Sequence, residues 1–277
     1  MNTGDIGVTL ERFVAACRED TRVVAAFLGG SHAAGTADEY SDLDLYLIVG
    51  DQNYDTFFAE RRAFLGHLGE AVFFEDFSDF GFDMVVFILS GGVEGELALG
   101  RASGFDHIHG GPFEILVDKE GILEGHVFPL HEPSQVEQRR TLRWLVYWFW
   151  RDLSEFNRAM VRGRLWTAYD LLEGLRLKCV NVARLKHEFS SVGMVGYEEL
   201  ERAADARDLD SLRATLCPLE REAMLEAAGR LIGFYLRTAP PLSIQQGIAY
   251  PADLEVVVMD KLQRWCGLHL DTRTTEG

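Results

Sequence analysis

The sequence predicts an α+β domain with a small mixed sheet, followed by an all-α helical bundle domain. In the first half, stretches with helical spacing of apolar residues alternate with short runs rich in Val, Leu and Phe. After Pro129 and Pro133, helical spacing continues almost to the end of the chain. Because prolines combined with a lasting change of period mark a boundary between domains, we place the two domains at 1–132 and 133–277.

The first domain is predicted to begin with a helix, because Leu10, Phe13 and Cys17 recur at the spacing of one helical face. Apolar runs closed by glycines, and runs rich in Val and Phe with turn residues between them, indicate strands. The predicted elements in chain order are helix 8–20, strands 22–30 and 41–50, helix 55–69, and strands 71–77 and 82–89.

The second domain is predicted to be an antiparallel bundle, because long segments keep the helical period. Its predicted helices cover 136–160, 165–187, 197–216, 219–238 and a last one near 251–268. Trp144, Tyr147 and Trp148 lie at helical spacing. A core or interdomain stripe explains these rings better than stacking on a bound ring, although both interpretations fit the spacing.

The composition narrows the possible partners. The formal net charge is −17, from 44 Asp and Glu against 27 Lys and Arg, so phosphates would be repelled over most of the surface and no nucleic-acid partner is expected. The N-terminal residues lack a basic and apolar leader, and no run of about 20 apolar residues occurs. We therefore expect a cytoplasmic protein with no membrane partner. The four cysteines form no CxxC pair, so neither a zinc cluster nor disulfides are expected.

The most informative segment is "FLGGSHAAGTADEYSDLDLYLIVG", residues 27–50. Asp42 and Asp44 point to the same side of a strand, because side chains alternate along a strand. Two adjacent carboxylates repel each other and are usually kept where a cation lies between them. Before them, Gly30 and Ser31 form a turn whose backbone N–H groups could bind phosphate.

This segment resembles the defining motif of the nucleotidyltransferase superfamily that contains polymerase β and the antibiotic nucleotidyltransferases. Residues 17–47, with "GEL" at 95–97 and "LVDKEGIL" at 116–123, are similar to the two-domain lincosamide nucleotidyltransferases and less closely to the aminoglycoside adenylyltransferases. The resemblance covers mainly residues 10–125. This chain carries Asp-Leu-Asp where the lincosamide enzymes carry Asp-Ile-Glu. The difference affects the expected substrate more than the expected metal binding, because a shorter carboxylate can still bind a metal.

The resemblance implies the roles of the site residues. Asp42 and Asp44 would be catalytic and would hold Mg²⁺, with an NTP, expected to be ATP, as co-substrate. A third carboxylate is implied, and two residues compete for the role: Glu96 is favoured as the general base, and Asp83 as a further metal ligand. The predicted nucleotide-binding residues are Gly30, Ser31, Ser41, Arg176 and Lys178. A solvated helix face would explain Arg176 and Lys178 equally well.

The implied activity is transfer of a nucleoside monophosphate to a hydroxyl group of an antibiotic. A lincosamide is the first choice of acceptor and an aminoglycoside the second. A protein-modifying nucleotidyltransferase of a toxin–antitoxin system is a further alternative. The expected partners are therefore the nucleotide and a small-molecule antibiotic, and the tryptophan-rich helix would allow a homodimer.

Overall fold

The computed structural model of the chain describes residues 3–78, 81–130, 133–189, 196–197 and 200–268. The chain divides into two compact units, Met1–His131 and Glu132–Gly277. The first unit combines strands and helices, and the described part of the second is helical. The predicted succession of an α+β region and a helical region is therefore confirmed.

The first unit contains more strands than the sequence pattern predicts. Its elements are α1 Thr3–Glu19, β1 Val23–Leu28, α2 Gly30–Ala33, β2 Leu43–Val49, α3 Tyr54–Leu65, β3 Ala71–Phe77, β4 Asp83–Leu89, β5 Glu94–Arg101 and β6 Glu114–Asp118. Neither β5 nor β6 was predicted. The β5 sequence, "EGELALGR", carries two glycines and two glutamates, which are poor strand formers, so no local signal marks it.

These six strands form one mixed sheet in the order β3-β4-β5-β2-β1-β6. The pairing of β2 with β5 is parallel, and the other four pairings are antiparallel. Strand β5 thus separates β2 from β4, although the superfamily resemblance implies that the strand starting at Asp83 lies next to the Asp42–Asp44 strand. This insertion decides which acidic residues meet.

The two faces of the sheet are covered differently. One face packs on α1 and α3, where Phe13, Phe57 and Phe64 meet the buried leucines of β2 and β5. On the opposite face, a smaller cluster forms over β1 and β2, in which Phe105 and Phe128 cover the strand residues. The second face is the one that carries Asp44, so the carboxylate lies beside an apolar cluster.

The second unit consists of packed helices. They are α4 Gln135–Val161, α5 Leu165–His187, α6 Leu200–Ala203, α7 Ala206–Arg213, α8 Arg221–Gln245 and α9 Ala252–Cys266. Helix α4 begins with a capping box between Ser134 and Glu137, which satisfies N–H groups of its first turn. Helix α8 continues through Pro240 and Pro241, although the predicted helix ended at 238. No helix in the described ranges is long and apolar enough to cross a bilayer.

The aromatic stripe of α4 belongs to the packing of the second unit. Trp144 and Tyr147 pack against the core formed by α4, α5 and α8. Trp148 is 41% exposed and stacks on Trp144, with ring centroids 5.4 Å apart. Deeper in the unit, the rings of Phe149 and Tyr235 are parallel with centroids 3.7 Å apart. Trp144 and Tyr147 therefore pack against the core, as the core interpretation predicts, whereas Trp148 does not.

Candidate active site

Three carboxylates meet on one face of the sheet. Asp44 on β2 lies directly opposite Glu96 on β5 in the parallel register. Asp42 immediately precedes β2, two residues before Asp44, and its charge acts on both other carboxyl groups. The structure thus brings together the predicted metal-binding pair and the predicted general base.

The environment of the site raises the pKa of both Asp44 and Glu96. Burial, and then the charge of Asp42, raise the pKa of Asp44. Burial also raises the pKa of Glu96, and the charges of Asp44 and Asp42 add to the shift. A cation at this face would relieve the repulsion, because it favours the charged form of every carboxyl group near it.

The donor set fits Mg²⁺ when phosphate completes it. Within the described ranges, no three His, Cys, Asp or Glu side chains are arranged to hold an ion by themselves. Magnesium, however, is commonly held by one or two carboxylates, with water and substrate phosphates filling its other positions. Asp42 and Asp44 supply two hard oxygen donors beside an open hollow, and this is the type of donor set that Mg²⁺ needs.

The glycine turn touches the Asp44 carboxylate. Gly30 has a positive φ of 57°, and a Cβ atom built on it would lie 1.6 Å from Oδ2 of Asp44. The N–H of Gly29 donates to the backbone oxygen of Asp44 at 2.9 Å. Only glycine combines this backbone conformation with such a close approach, so the turn and the carboxylate form one site.

Ser31 follows in the short helix α2, whose first N–H groups have no acceptor within the helix. The Oγ atom of Ser31 is buried without a hydrogen-bond partner, and so is Nε2 of His32. A buried polar atom without a partner is costly unless a ligand satisfies it. The turn thus offers donors that suit an anionic group, in line with the phosphate-binding role predicted for Gly30 and Ser31.

Ser41 lies in the turn before β2. Its Oγ accepts a hydrogen bond from the N–H of Asp38 at 2.9 Å and lies 3.2 Å from Oδ1 of the same residue. These contacts close the turn that delivers Asp42 to the site. A direct contact of Ser41 with nucleotide stays a prediction.

His109 is a residue of this site that the sequence pattern did not single out for it. Its Nε2 donates to the carbonyl oxygen of Pro112 at 2.9 Å, and its ring meets that of Tyr46 at a centroid distance of 4.6 Å. Burial lowers the pKa of His109, and the charge of Asp44 opposes this shift. A Cβ on Gly29 would lie 2.7 Å from the Tyr46 ring and 2.9 Å from the His109 ring, so both rings support the glycine turn from below.

Asp83 lies on the opposite face of the sheet. It is the register partner of Leu99, whose side chain belongs to the core beneath α1 and α3. Tyr54 on α3 donates to Oδ2 of Asp83 at 2.7 Å, and Ser78 donates to Oδ1 at 2.9 Å. The structure does not bring Asp83 to the carboxylate site, and the metal-binding role predicted for it does not fit this position. Because β5 separates β4 from β2, Glu96 occupies the place expected for Asp83.

Arg176 and Lys178 are engaged inside the second unit. Arg176 is 2% exposed, donates from Nε to Oγ1 of Thr215 at 2.9 Å, and pairs with Glu173. Lys178 Nζ lies 2.8 Å from Oδ2 of Asp152. The alternative of a solvated helix face is wrong, because both side chains are buried. A role in nucleotide binding stays a prediction for both residues.

A hollow of about 250 Å³ adjoins the carboxylates. Its lining consists of Asp44, Leu45, Tyr46, Phe82, Met84, Glu96 and Ala98. Carboxylates lie on one side of the hollow and apolar groups on the other. The arrangement can therefore hold a metal-bound anion and, next to it, a second molecule with a hydroxyl group.

The chain is similar to a known domain family and to solved structures. Residues 10–78 match the family model described as a nucleotidyltransferase domain, a span that includes the glycine turn and both aspartates but not Glu96. The fold is similar to the crystal structure of an aminoglycoside 6-adenyltransferase from Bacillus subtilis, at 15% identity and a TM-score of 0.43, covering 93% of this chain and 97% of the other. No curated protein sequence matches the chain.

Proposed function

We propose that the chain transfers a nucleoside monophosphate from an NTP to a hydroxyl group of an antibiotic, because its residues 10–78 match the model of a nucleotidyltransferase domain. The observation that carries the proposal is the pairing of Asp44 with Glu96 on adjacent parallel strands, beside the Gly30 turn. ATP is the expected nucleotide.

Each group at the site has one task in this reaction. Asp42 and Asp44 hold Mg²⁺, which, when bound, offsets the charge of the phosphates. The first N–H groups of α2 and the hydroxyl of Ser31 bind the β and γ phosphates, because these N–H groups have no acceptor within the helix and Ser31 Oγ is buried without a hydrogen-bond partner. His109 and Tyr46 keep the turn in place.

Glu96 activates the acceptor. It removes the proton of the acceptor hydroxyl as that oxygen attacks the α phosphorus. A bond forms between the acceptor oxygen and the α phosphorus, while the bond from the α phosphorus to the bridging oxygen breaks. Pyrophosphate leaves with the electron pair, and the proton stays on Glu96. The raised pKa of Glu96 suits a base that must take up a proton near neutral pH.

The acceptor is proposed to be a lincosamide, with an aminoglycoside as the second candidate. The similarity of residues 17–47, 95–97 and 116–123 to lincosamide nucleotidyltransferases supports the first. The net charge of −17 would also accommodate a polycation, which supports the second.

The experiment is incubation of the purified protein with Mg²⁺, each NTP in turn, and a panel of lincosamides and aminoglycosides, with the mass of each drug as the readout. We expect one drug to gain the mass of a nucleoside monophosphate. If Mg²⁺–NTP binds but no drug gains mass, the antibiotic assignment is wrong. Capture of a nucleotide-labelled protein partner would then favour the protein-modifying alternative.

The choice between Glu96 and Asp83 has its own test. E96Q should lower kcat by about 10²- to 10⁴-fold, the usual contribution of a general base, and leave nucleotide affinity intact. D83N removes the same charge on the neighbouring strand but on the opposite face, and it should keep turnover near wild type. Single-turnover mass spectrometry measures both. A D83N variant as inactive as E96Q, with its fold intact by circular dichroism, would reverse the assignment.

A further inference from the structure

We propose that the hollow above Ala98 binds an apolar part of the acceptor molecule, and that Ala98 and Met84 set the acceptor specificity. This inference rests on the proposed function, because it concerns the second substrate of the same site.

The register places apolar side chains in one row across the sheet. Phe77 on β3 pairs with Met84 on β4, and Met84 pairs with Ala98 on β5. Ala98 pairs with Tyr46 on β2, and Tyr46 with Phe27 on β1. Directly paired residues point to the same side of a sheet. Five neighbouring strands therefore present one continuous apolar row on the face of the carboxylates.

A second row, which carries the acidic residues, lies two residues away from the apolar row on each strand. In this row, Glu75 on β3 pairs with Val86 on β4, Val86 pairs with Glu96 on β5, and Glu96 pairs with Asp44 on β2. Two residues of a strand span roughly 7 Å. A small molecule above Ala98 would therefore reach Glu96 with a hydroxyl group while its apolar part lies on the neighbouring row.

The small side chain of Ala98 creates the space. It lies between the larger side chains of Tyr46 and Met84 in the row, and Phe82 also lines the hollow of about 250 Å³. Tyr46 is supported from behind, because it stacks on Phe27 with centroids 4.6 Å apart and rings 3° from parallel. The wall opposite the carboxylates is thus firmly packed and apolar.

The chemistry of the lining defines the ligand. Among the described residues that line the hollow, the polar side-chain atoms are the carboxylates of Asp44 and Glu96 and the hydroxyl of Tyr46. A polyamino sugar would leave most of its hydroxyl and ammonium groups without partners on this wall. A hydroxyl-bearing monoamine with an alkyl or ring substituent fits both sides, since its cation faces acidic residues and its apolar part is buried.

The test compares two variants of the row with one matched control. A98L fills the hollow, and M84Q makes its wall polar at similar volume. I88Q introduces the same polar group on the same face of β4, about 13 Å from Met84 and outside the hollow. The KM values for lincomycin, kanamycin and ATP are measured for each variant, together with the Kd of Mg²⁺–ATP.

We expect A98L and M84Q to raise the KM for lincomycin at least tenfold and to leave the Kd of Mg²⁺–ATP unchanged, while I88Q resembles the wild type. An unchanged lincomycin KM in both A98L and M84Q would overturn the inference. So would kanamycin as the better acceptor, although the proposed function would then stand. If neither drug is modified while Mg²⁺–ATP binds normally, both the inference and the antibiotic assignment fail.

Discussion

Gly30 shows at the scale of a single residue how the glycine turn and the Asp44 carboxylate are coupled. Its φ is positive, and its α-carbon lies where any Cβ would collide with the Asp44 carboxylate. The motif therefore requires glycine for two reasons, backbone conformation and contact. The sequence pattern supports only the first reason, because it places Gly30 in a turn but does not show what the turn touches.

A pair of glycine variants separates these reasons. G35A should have the same conformational cost as G30A, because φ is also positive at Gly35, at 69°. A Cβ atom at Gly35, however, would meet nothing within 4 Å. We expect G35A to lose about 1–2 kcal/mol of unfolding free energy and to keep turnover. G30A should lose more stability and also reduce kcat/KM for ATP at least a hundredfold, because Asp44 must move. Urea unfolding and initial rates measure the two effects, and equal behaviour of the variants would refute the contact argument.

Strand β5 is the element that assembles the site. It carries Glu96, and its parallel pairing with β2 brings that residue opposite Asp44. Gly95 permits this pairing, because a Cβ there would lie 2.6 Å from the backbone oxygen of Leu43 and 2.7 Å from the Phe87 ring. A glycine that looks like a strand breaker in the sequence is thus needed for the close packing of three strands.

We expect G95A to shift β5 away from β2, at a cost of about 1–3 kcal/mol for overpacking, and to reduce kcat through the displacement of Glu96. Gly91, in the turn before β5, provides the control, since a Cβ there has open space and no unusual φ. G91A should match the wild type in both thermal stability and rate. A G95A protein with normal kcat would show that the position of Glu96 does not depend on this contact.

At the scale of the whole molecule, the net charge of −17 affects how metal binding is measured. Any added cation reduces repulsion among the acidic residues, so stabilisation by Mg²⁺ alone does not demonstrate a site. The specific contribution is the difference in Mg²⁺ stabilisation between the wild type and a variant that lacks one proposed metal ligand. D44N is that variant, because it keeps the shape of the side chain and removes its charge.

Without Mg²⁺, D44N should be at least as stable as the wild type, because the repulsion with Asp42 and Glu96 is relieved. With Mg²⁺ at ten times its Kd, the wild type should gain about 1.4 kcal/mol beyond the gain seen at equal ionic strength in NaCl. D44N should lack this extra gain. Scanning calorimetry of the four samples measures it, and an equal Mg²⁺ response in both proteins would argue against Asp44 as a ligand.

The elements of the fold differ in how well the sequence predicts them. Four of the five helices predicted for the second unit were found as single helices, because the apolar period is a local property of each segment. The segment 197–216 was predicted as one helix, but its described part contains two short helices, α6 and α7. The extension of α8 through two prolines was missed, because proline normally ends a helix. Strand β5 was missed because its two glycines and two glutamates are poor strand formers, and it is a strand through its pairing with β2 and β4. Strand β6 was also missed, although its sequence "EILVD" contains Ile, Leu and Val.

The sequence by itself determined the aspartate pair and the glycine turn, because both are local: strand alternation puts Asp42 and Asp44 on one side, and the turn precedes them directly. Only the tertiary structure shows that Glu96, and not Asp83, lies beside Asp44. That arrangement depends on the parallel pairing of β2 with β5, two segments far apart in the chain, and on the face that each residue of β4 presents. The apolar hollow over Ala98 has the same origin, since its wall consists of single residues from neighbouring strands that meet only in the sheet.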